Sequence, residues 1–172
     1  MPATYDSLAT FTSNGSQNPI SFQNIPQTYT DLVLIINGRA TGTATEDSTL
    51  SYINSNTGTN NYSNTYFYTS GSSIISSRAT NQVYFGFGTH PGGTATANMF
   101  GTEVFHFLNY SNSTTFKTVL AQSSADLNGS GSTWTTVNLW RQTAAINRID
   151  MYVSGPFWAS GSILSLYGIR AA

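Results

Sequence analysis

The residues that could do acid–base chemistry are two histidines and seven carboxylates. His106 stands three positions after Glu103, and a histidine beside a carboxylate is a common acid–base pair. In an extended strand, however, residues three apart point to opposite faces. We therefore interpret His106 as a structural histidine, hydrogen-bonded within the fold or at a subunit contact, because buried polar groups find partners.

The second histidine, His90, precedes Pro91-Gly92-Gly93, which indicates a loop. In a loop it could bind a metal ion or contact a partner. Two histidines without a cysteine are too few ligands for a structural zinc site within one subunit. A cluster of His90 side chains around a threefold axis stays open as an alternative.

The acidic residues offer little that is specific. Asp126-Leu127-Asn128-Gly129 and Glu46-Asp47 carry oxygen ligands of the kind that Ca²⁺ takes, but the first lacks the later acidic ligand of a complete loop. Its residue types favour a turn in which Asp and Asn bond their own backbone. No spacing selects a carboxylate pair for glycoside hydrolysis. The sequence predicts no catalytic residue, metal site or cofactor, and we expect a protein that is not an enzyme.

Aromatic residues are the remaining candidates for binding. Trp134, Thr136, Asn138 and Trp140 share one face of a predicted strand, and with tyrosines they could form a platform on which a sugar ring stacks. Core or subunit packing is the commoner role of tryptophan at this spacing. The candidate contacts for a partner or carbohydrate are therefore Tyr66, Tyr68, His90, Trp134 and Trp140.

Composition restricts the elements that hold these residues. Ser, Thr and Asn make up 64 of the 172 residues, whereas Lys, Arg, Asp and Glu together number 13. Aromatic and β-branched residues indicate strands, and the scarcity of Lys, Glu and Ala disfavours surface helices. The six basic residues are scattered, so we expect no nucleic-acid partner. No membrane span is predicted, and the N-terminus does not resemble a secretory signal, so any export is expected to occur by assembly or lysis and not through a cleaved signal.

Alternation along the chain predicts the strands. Residues 24–39 contain a run in which Leu32, Leu34 and Ile36 face one way and Val33 and Ile35 the other, so both faces should be buried. A similar two-faced run occupies 163–169, and residues 51–73 read as exposed loops around one short strand. With eight to ten strands, we predict a single all-β domain over 1–172. Its architecture is an antiparallel two-sheet sandwich of jelly-roll type with a further face buried against other subunits.

Two segments carry a family resemblance: Ile25-Pro26-Gln27-Thr28-Tyr29-Thr30-Asp31-Leu32, and Gly161-Ser162-Ile163-Leu164-Ser165-Leu166-Tyr167-Gly168-Ile169. The pair resembles the IPxTYTxL and GSxxxLYGI strands of a family of tailed-bacteriophage virion proteins. The resemblance implies a β-sandwich that assembles as a homo-oligomer, often a trimer, on the particle surface. It brings no catalytic or cofactor residue with it.

Two locations are compatible with this family. Because no shaft, coiled coil or repeat precedes Tyr5, we expect a capsid decoration (cement) protein that binds the major capsid protein on the head exterior. The alternative is a tail-fibre or tail-tip module that binds a tail protein and recognises a host receptor or carbohydrate.

Overall fold

The computed structural model describes residues 4–86 and 88–170. These ranges form twelve strands, all paired antiparallel, and contain no helix that could cross a membrane. The strands are β1 (Tyr5–Thr12), β2 (Ile20–Gln23), β3 (Asp31–Gly38), β4 (Glu46–Ile53), β5 (Tyr62–Ser70), β6 (Ser73–Gln82), β7 (Thr89–Pro91), β8 (Gly101–Phe107), β9 (Lys117–Asp126), β10 (Gly131–Trp140), β11 (Arg148–Val153) and β12 (Ile163–Ile169).

Eight of these strands have the topology of a jelly roll. β1 pairs with β12, β2 with β11, β3 with β8, and β4 with β7. These pairs are those of one long hairpin in which successive strand pairs belong alternately to the larger and the smaller sheet. Rolling this hairpin up brings β12 beside β3 and β11 beside β4. The result is the predicted two-sheet sandwich, whose smaller sheet has the order β2-β11-β4-β7.

The other four strands enlarge one sheet only. The hairpin β5–β6 is inserted between β4 and β7, and the hairpin β9–β10 between β8 and β11. Together they extend the larger sheet to eight strands in the order β1-β12-β3-β8-β9-β10-β5-β6. The larger sheet is thus twice as wide as the smaller one, and β6 forms its edge.

One continuous hydrophobic core lies between the sheets. Leu32, Leu34 and Ile36 of β3 are fully buried there, as the period-two pattern predicts. On the opposite face of β3, Val33 is 4% exposed and Ile35 is 39% exposed. Ile35 is therefore uncovered within one chain, and its burial against other subunits stays a prediction.

The segment 51–73 was predicted correctly only in part. The one short strand expected there is the nine-residue β5, but β4 continues to Ile53, and β5 forms a regular hairpin with β6 where a loop was expected. The abundant Ser, Thr and Asn of this segment suggested loops, but pairing of β5 with β10 supplies each residue with a cross-strand neighbour. Strand preference depends on that context more than on composition.

Candidate interaction surface

The outer face of the larger sheet is the widest surface that the described chain leaves uncovered. Cross-strand register aligns its outward side chains in three rows. The rows are Ile163, Asn37, Thr102, Ser124, Thr133, Thr69 and Ile74; Ser165, Ile35, Val104, Gln122, Thr135, Phe67 and Ser76; and Tyr167, Val33, His106, Leu120, Val137, Thr65 and Arg78. We call these 21 residues the outer face.

The outer face is apolar and hydroxyl-rich. Leu120 is 41%, Val137 46% and Phe67 51% exposed, and Ser or Thr occupies eight of the 21 positions. No carboxylate occurs among the 21 residues, whose basic groups are Arg78 and the half-buried His106. Seven strands about 4.8 Å apart, with three rows about 6.6 Å apart along them, give a face on the order of 700 Å². That area is similar to the roughly 800 Å² that each partner contributes to a standard interface.

Three of the predicted contact residues come together on the other face of the same sheet. Trp134 of β10 pairs with Tyr68 of β5, and their rings stack at 4.0 Å with an interplanar angle of 6°. Tyr66 lies 5.5 Å from the Trp134 ring and 6.3 Å from Tyr68. The indole Nε1 of Trp134 donates to Ser132 Oγ, which donates to Glu46 Oε2. We call Tyr66, Tyr68 and Trp134 the aromatic cluster.

The geometry of the aromatic cluster is that of cross-strand packing. Stacking with Tyr68 occupies one face of the Trp134 ring, and aromatic pairs of this kind stabilise neighbouring strands. All three rings are nevertheless only half-buried. The cluster therefore holds the β5–β6 hairpin against β10 and leaves part of its surface accessible.

The other two predicted contacts, Trp140 and His90, are not at the surface. Trp140 is 1% exposed because it lies inward on β10, six residues along from Trp134, where the smaller sheet covers it. His90 is not in a loop but in β7, where it is fully buried and packs edge-on against Trp158 at 5.2 Å. Neither residue can contact a partner of the folded chain, and His90 cannot lie on a threefold axis between subunits.

His90 instead pairs with the buried carboxylate of Glu103. Its Nε2 lies 3.1 Å from Oε2 of Glu103, and both side chains are fully buried between the sheets. His106 is on the opposite face of β8 from Glu103, as the alternation predicts, and it lies in the outer face between Val33 and Leu120. The sequence identified the carboxylate but not its partner, which comes from the other sheet.

Most charged groups are used inside the molecule. Arg39 donates to the carbonyls of Gly93, Ala95, Thr96 and Met99 and so fastens the loop after β7. Lys117, 1% exposed, donates to two backbone carbonyls, and burial lowers its pKa. Two ion pairs, Arg148–Asp150 and Arg170–Asp6, account for four more charges. The hydrogen bond from Arg170 lowers the pKa of Asp6.

The residues 126–129 form the turn that their residue types favour, and Glu46 and Asp47 lie in β4. Asp126 Oδ1 accepts the backbone N–H of Asn128 at 2.8 Å, and Asn128 has a positive φ of 61°. Glu46 accepts from Thr89 and Ser132, and Asp47 accepts from Ser154. Within residues 4–86 and 88–170, no group of three or more His, Cys, Asp or Glu side chains could hold a metal ion.

Sequence reasoning missed Ile74 and Ile75 of β6, which are 77% and 39% exposed. The sequence nevertheless contained a feature that indicates an exposed isoleucine here. Two consecutive isoleucines in a strand point to opposite faces, so at least one faces away from the core of a sandwich. No strand was predicted at these two positions, which follow the segment 51–73, and that feature was therefore not used.

Comparison with known proteins gave no match to a family model, to a curated protein or to a solved structure.

Proposed function

We propose that this chain is a structural protein of a tailed-phage virion, a capsid decoration protein that binds the assembled shell as a homo-oligomer. The outer face is the observation that carries the proposal. It is similar in area to one side of a standard protein interface, it lacks carboxylates, and it presents Ile35, Leu120, Val137 and Phe67 to solvent. Apolar patches of several hundred Å² on a monomer mark sites of protein contact.

The few charges of the chain support binding by shape and apolar contact. Because most of them are paired or bonded to backbone within the molecule, the outer face adds little electrostatic steering to association. Many copies that bind only the assembled shell stabilise it by mass action. The mechanism we propose is therefore binding energy, without a chemical step.

The copy number in particles tests the location. In particles purified from a phage that encodes this chain, quantitative mass spectrometry compares its abundance with that of the major shell protein. We expect a ratio within a small factor of one. A ratio of a few per cent would overturn the head location and favour the tail.

A matched pair of variants tests the surface. Val137→Glu puts a carboxylate in the middle of the outer face, whereas Phe157→Glu puts one at a similarly exposed apolar side chain outside it. We expect Val137→Glu to bind shells lacking this chain at least tenfold more weakly, since an unpaired charge buried in an interface costs more than about 1.4 kcal/mol. Phe157→Glu should bind like the wild type. Equal shell binding by both variants would contradict the assignment of the outer face.

The second candidate function is a tail module that recognises a host receptor or carbohydrate. The aromatic cluster favours it, because Tyr66, Tyr68 and Trp134 stay partly accessible. Trp134→Ala would then lower adsorption to host cells, while Phe116→Ala, which removes an exposed ring elsewhere, would not. Wild-type adsorption by Trp134→Ala would eliminate this candidate.

A further inference from the structure

Four strands lie at the edges of the two sheets, and three of them are poor templates for pairing. In the smaller sheet, β2 has four residues and β7 has three. In the larger sheet, β1 is interrupted by a register shift between Ser7 and Ala9, and it carries Asp6 in an ion pair with Arg170. Short strands, bulges and edge charges are the devices by which proteins block edge pairing.

β6 has none of these protections over most of its length. It is ten residues long and pairs with β5 in uninterrupted register from Ser73 to Ala79. Eight of its ten residues are exposed, it contains no proline, and its single charge is Arg78. Along its free edge, unpaired backbone N–H and C=O groups therefore face solvent beside an uncharged surface.

Both faces of this edge are also uncovered. Ile74 belongs to the outer face, and Ile75 points to the opposite side, beside Tyr68. The hairpin extends beyond the smaller sheet, whose last strand is β7. A two-stranded ribbon with two open faces has little stability of its own. A partner strand that pairs with its edge and extends both faces would therefore stabilise it.

We propose that two copies of this chain join edge to edge, by antiparallel pairing of β6 with β6 of the second copy across a twofold axis. Such a contact is self-complementary, because the same strand is used on both sides. It extends each eight-stranded sheet into the other and places each overhanging hairpin next to its counterpart. Neither β5 nor β6 contains a carboxylate, so apart from the single cation Arg78 nothing on these strands selects a charged partner over a second copy.

This inference deepens the homo-oligomer of the proposed function but does not depend on shell binding. It also predicts an even-numbered assembly, in contrast to the trimer that the family resemblance implies. Pairing of β6 with β1 of another copy would give a head-to-tail contact instead, and the β1 register shift opposes it.

The mass in solution is the first test. By sedimentation or light scattering, we expect the wild type to have twice the chain mass of 18.5 kDa, or an even multiple of it. Ile74→Lys, at a 77% exposed position, should halve that mass while its circular dichroism stays unchanged. Ile163→Lys is the matched control, because Ile163 lies in the same row at the opposite end of the sheet, and it should keep the wild-type mass. A monomeric or trimeric wild type, or an unchanged mass for Ile74→Lys, would overturn the pairing.

Cross-linking tests the axis directly, since the chain has no cysteine of its own. Single cysteines at each position from 74 to 79 are oxidised and scored for a disulfide-linked dimer. Around a twofold axis, identical residues separate by about 6.6 Å along the strands for each position away from the axis. Because a disulfide needs Cα atoms within about 7 Å, one position should cross-link strongly and its neighbours weakly. Absence of a link at every position would refute pairing of β6 with itself.

The two proposals fail separately. If the wild type forms the β6 dimer but does not bind shells, the decoration role is wrong and the pairing stands. If it binds shells as a monomer, the pairing is wrong and the decoration role stands.

Discussion

Replacing Tyr62 with Phe tests how the hairpin that carries β6 is attached to the sandwich. The Tyr62 hydroxyl accepts the backbone N–H of Ile53 at 3.1 Å and donates to the carbonyl of Asn56 at 2.8 Å. Its ring is fully buried and packs edge-on against Phe85 at 5.4 Å. Phe keeps the ring but leaves the Ile53 N–H without this acceptor, which costs about 1–3 kcal/mol of unfolding free energy at neutral pH.

The same variant has a pH signature. Burial raises the pKa of Tyr62 from 10.0 to about 12. Because the folded pKa lies above the unfolded one, this contribution to stability is complete below the unfolded value and is lost as pH rises through the folded value. The shift corresponds to roughly 2–3 kcal/mol, which only the wild type can lose.

Urea unfolding followed by tryptophan fluorescence measures both effects. At about pH 8 we expect Tyr62→Phe to be less stable by the 1–3 kcal/mol given above, and the difference should shrink by about 1–2 kcal/mol near pH 11.5. Other groups with shifted pKa, such as Tyr52 and Tyr110, titrate in both proteins and cancel. A difference that stays constant from neutral to alkaline pH would refute the assignment of the raised pKa to the buried hydroxyl.

Three further predictions concern other buried or packed groups. Glu103→Ala leaves His90 Nε2 without its partner and opens a cavity, and thermal unfolding should show a loss of about 3–5 kcal/mol, whereas Glu103→Gln should lose less. Lys117→Met removes an ammonium group whose pKa is lowered by burial. As pH rises through that lowered pKa, the wild type should become more stable relative to the Lys117→Met variant. A difference in urea midpoints that does not change with pH would contradict this. Trp134→Ala removes the stack on Tyr68, and hydrogen exchange should speed up in β5 and β6 while the amides of β3 stay protected; uniform acceleration would refute a local role.

The candidate surface shows where sequence reasoning succeeded and where it did not. Trp134 and Trp140 lie on one strand face, as the alternation predicts, yet Trp134 is half-buried and Trp140 is in the core. Spacing places residues on a face but does not say where along the strand the opposite sheet ends. That Glu103 and His106 lie on opposite faces of β8 was likewise predicted, whereas the pairing of Glu103 with His90 could not be, because His90 belongs to the other sheet.

By itself, the sequence determined an antiparallel β-sandwich of jelly-roll type with an uncharged surface, and it determined that Leu32, Leu34 and Ile36 share one face of β3 and that Glu103 and His106 lie on opposite faces of β8. These properties are local, since composition and a period of two act within a few residues. Only the tertiary structure decided that two inserted hairpins widen one sheet to eight strands and that β6 is its open edge. Strand order joins residues far apart in the chain, and the pairing of β5 with β10 converts a segment with the composition of a loop into a strand.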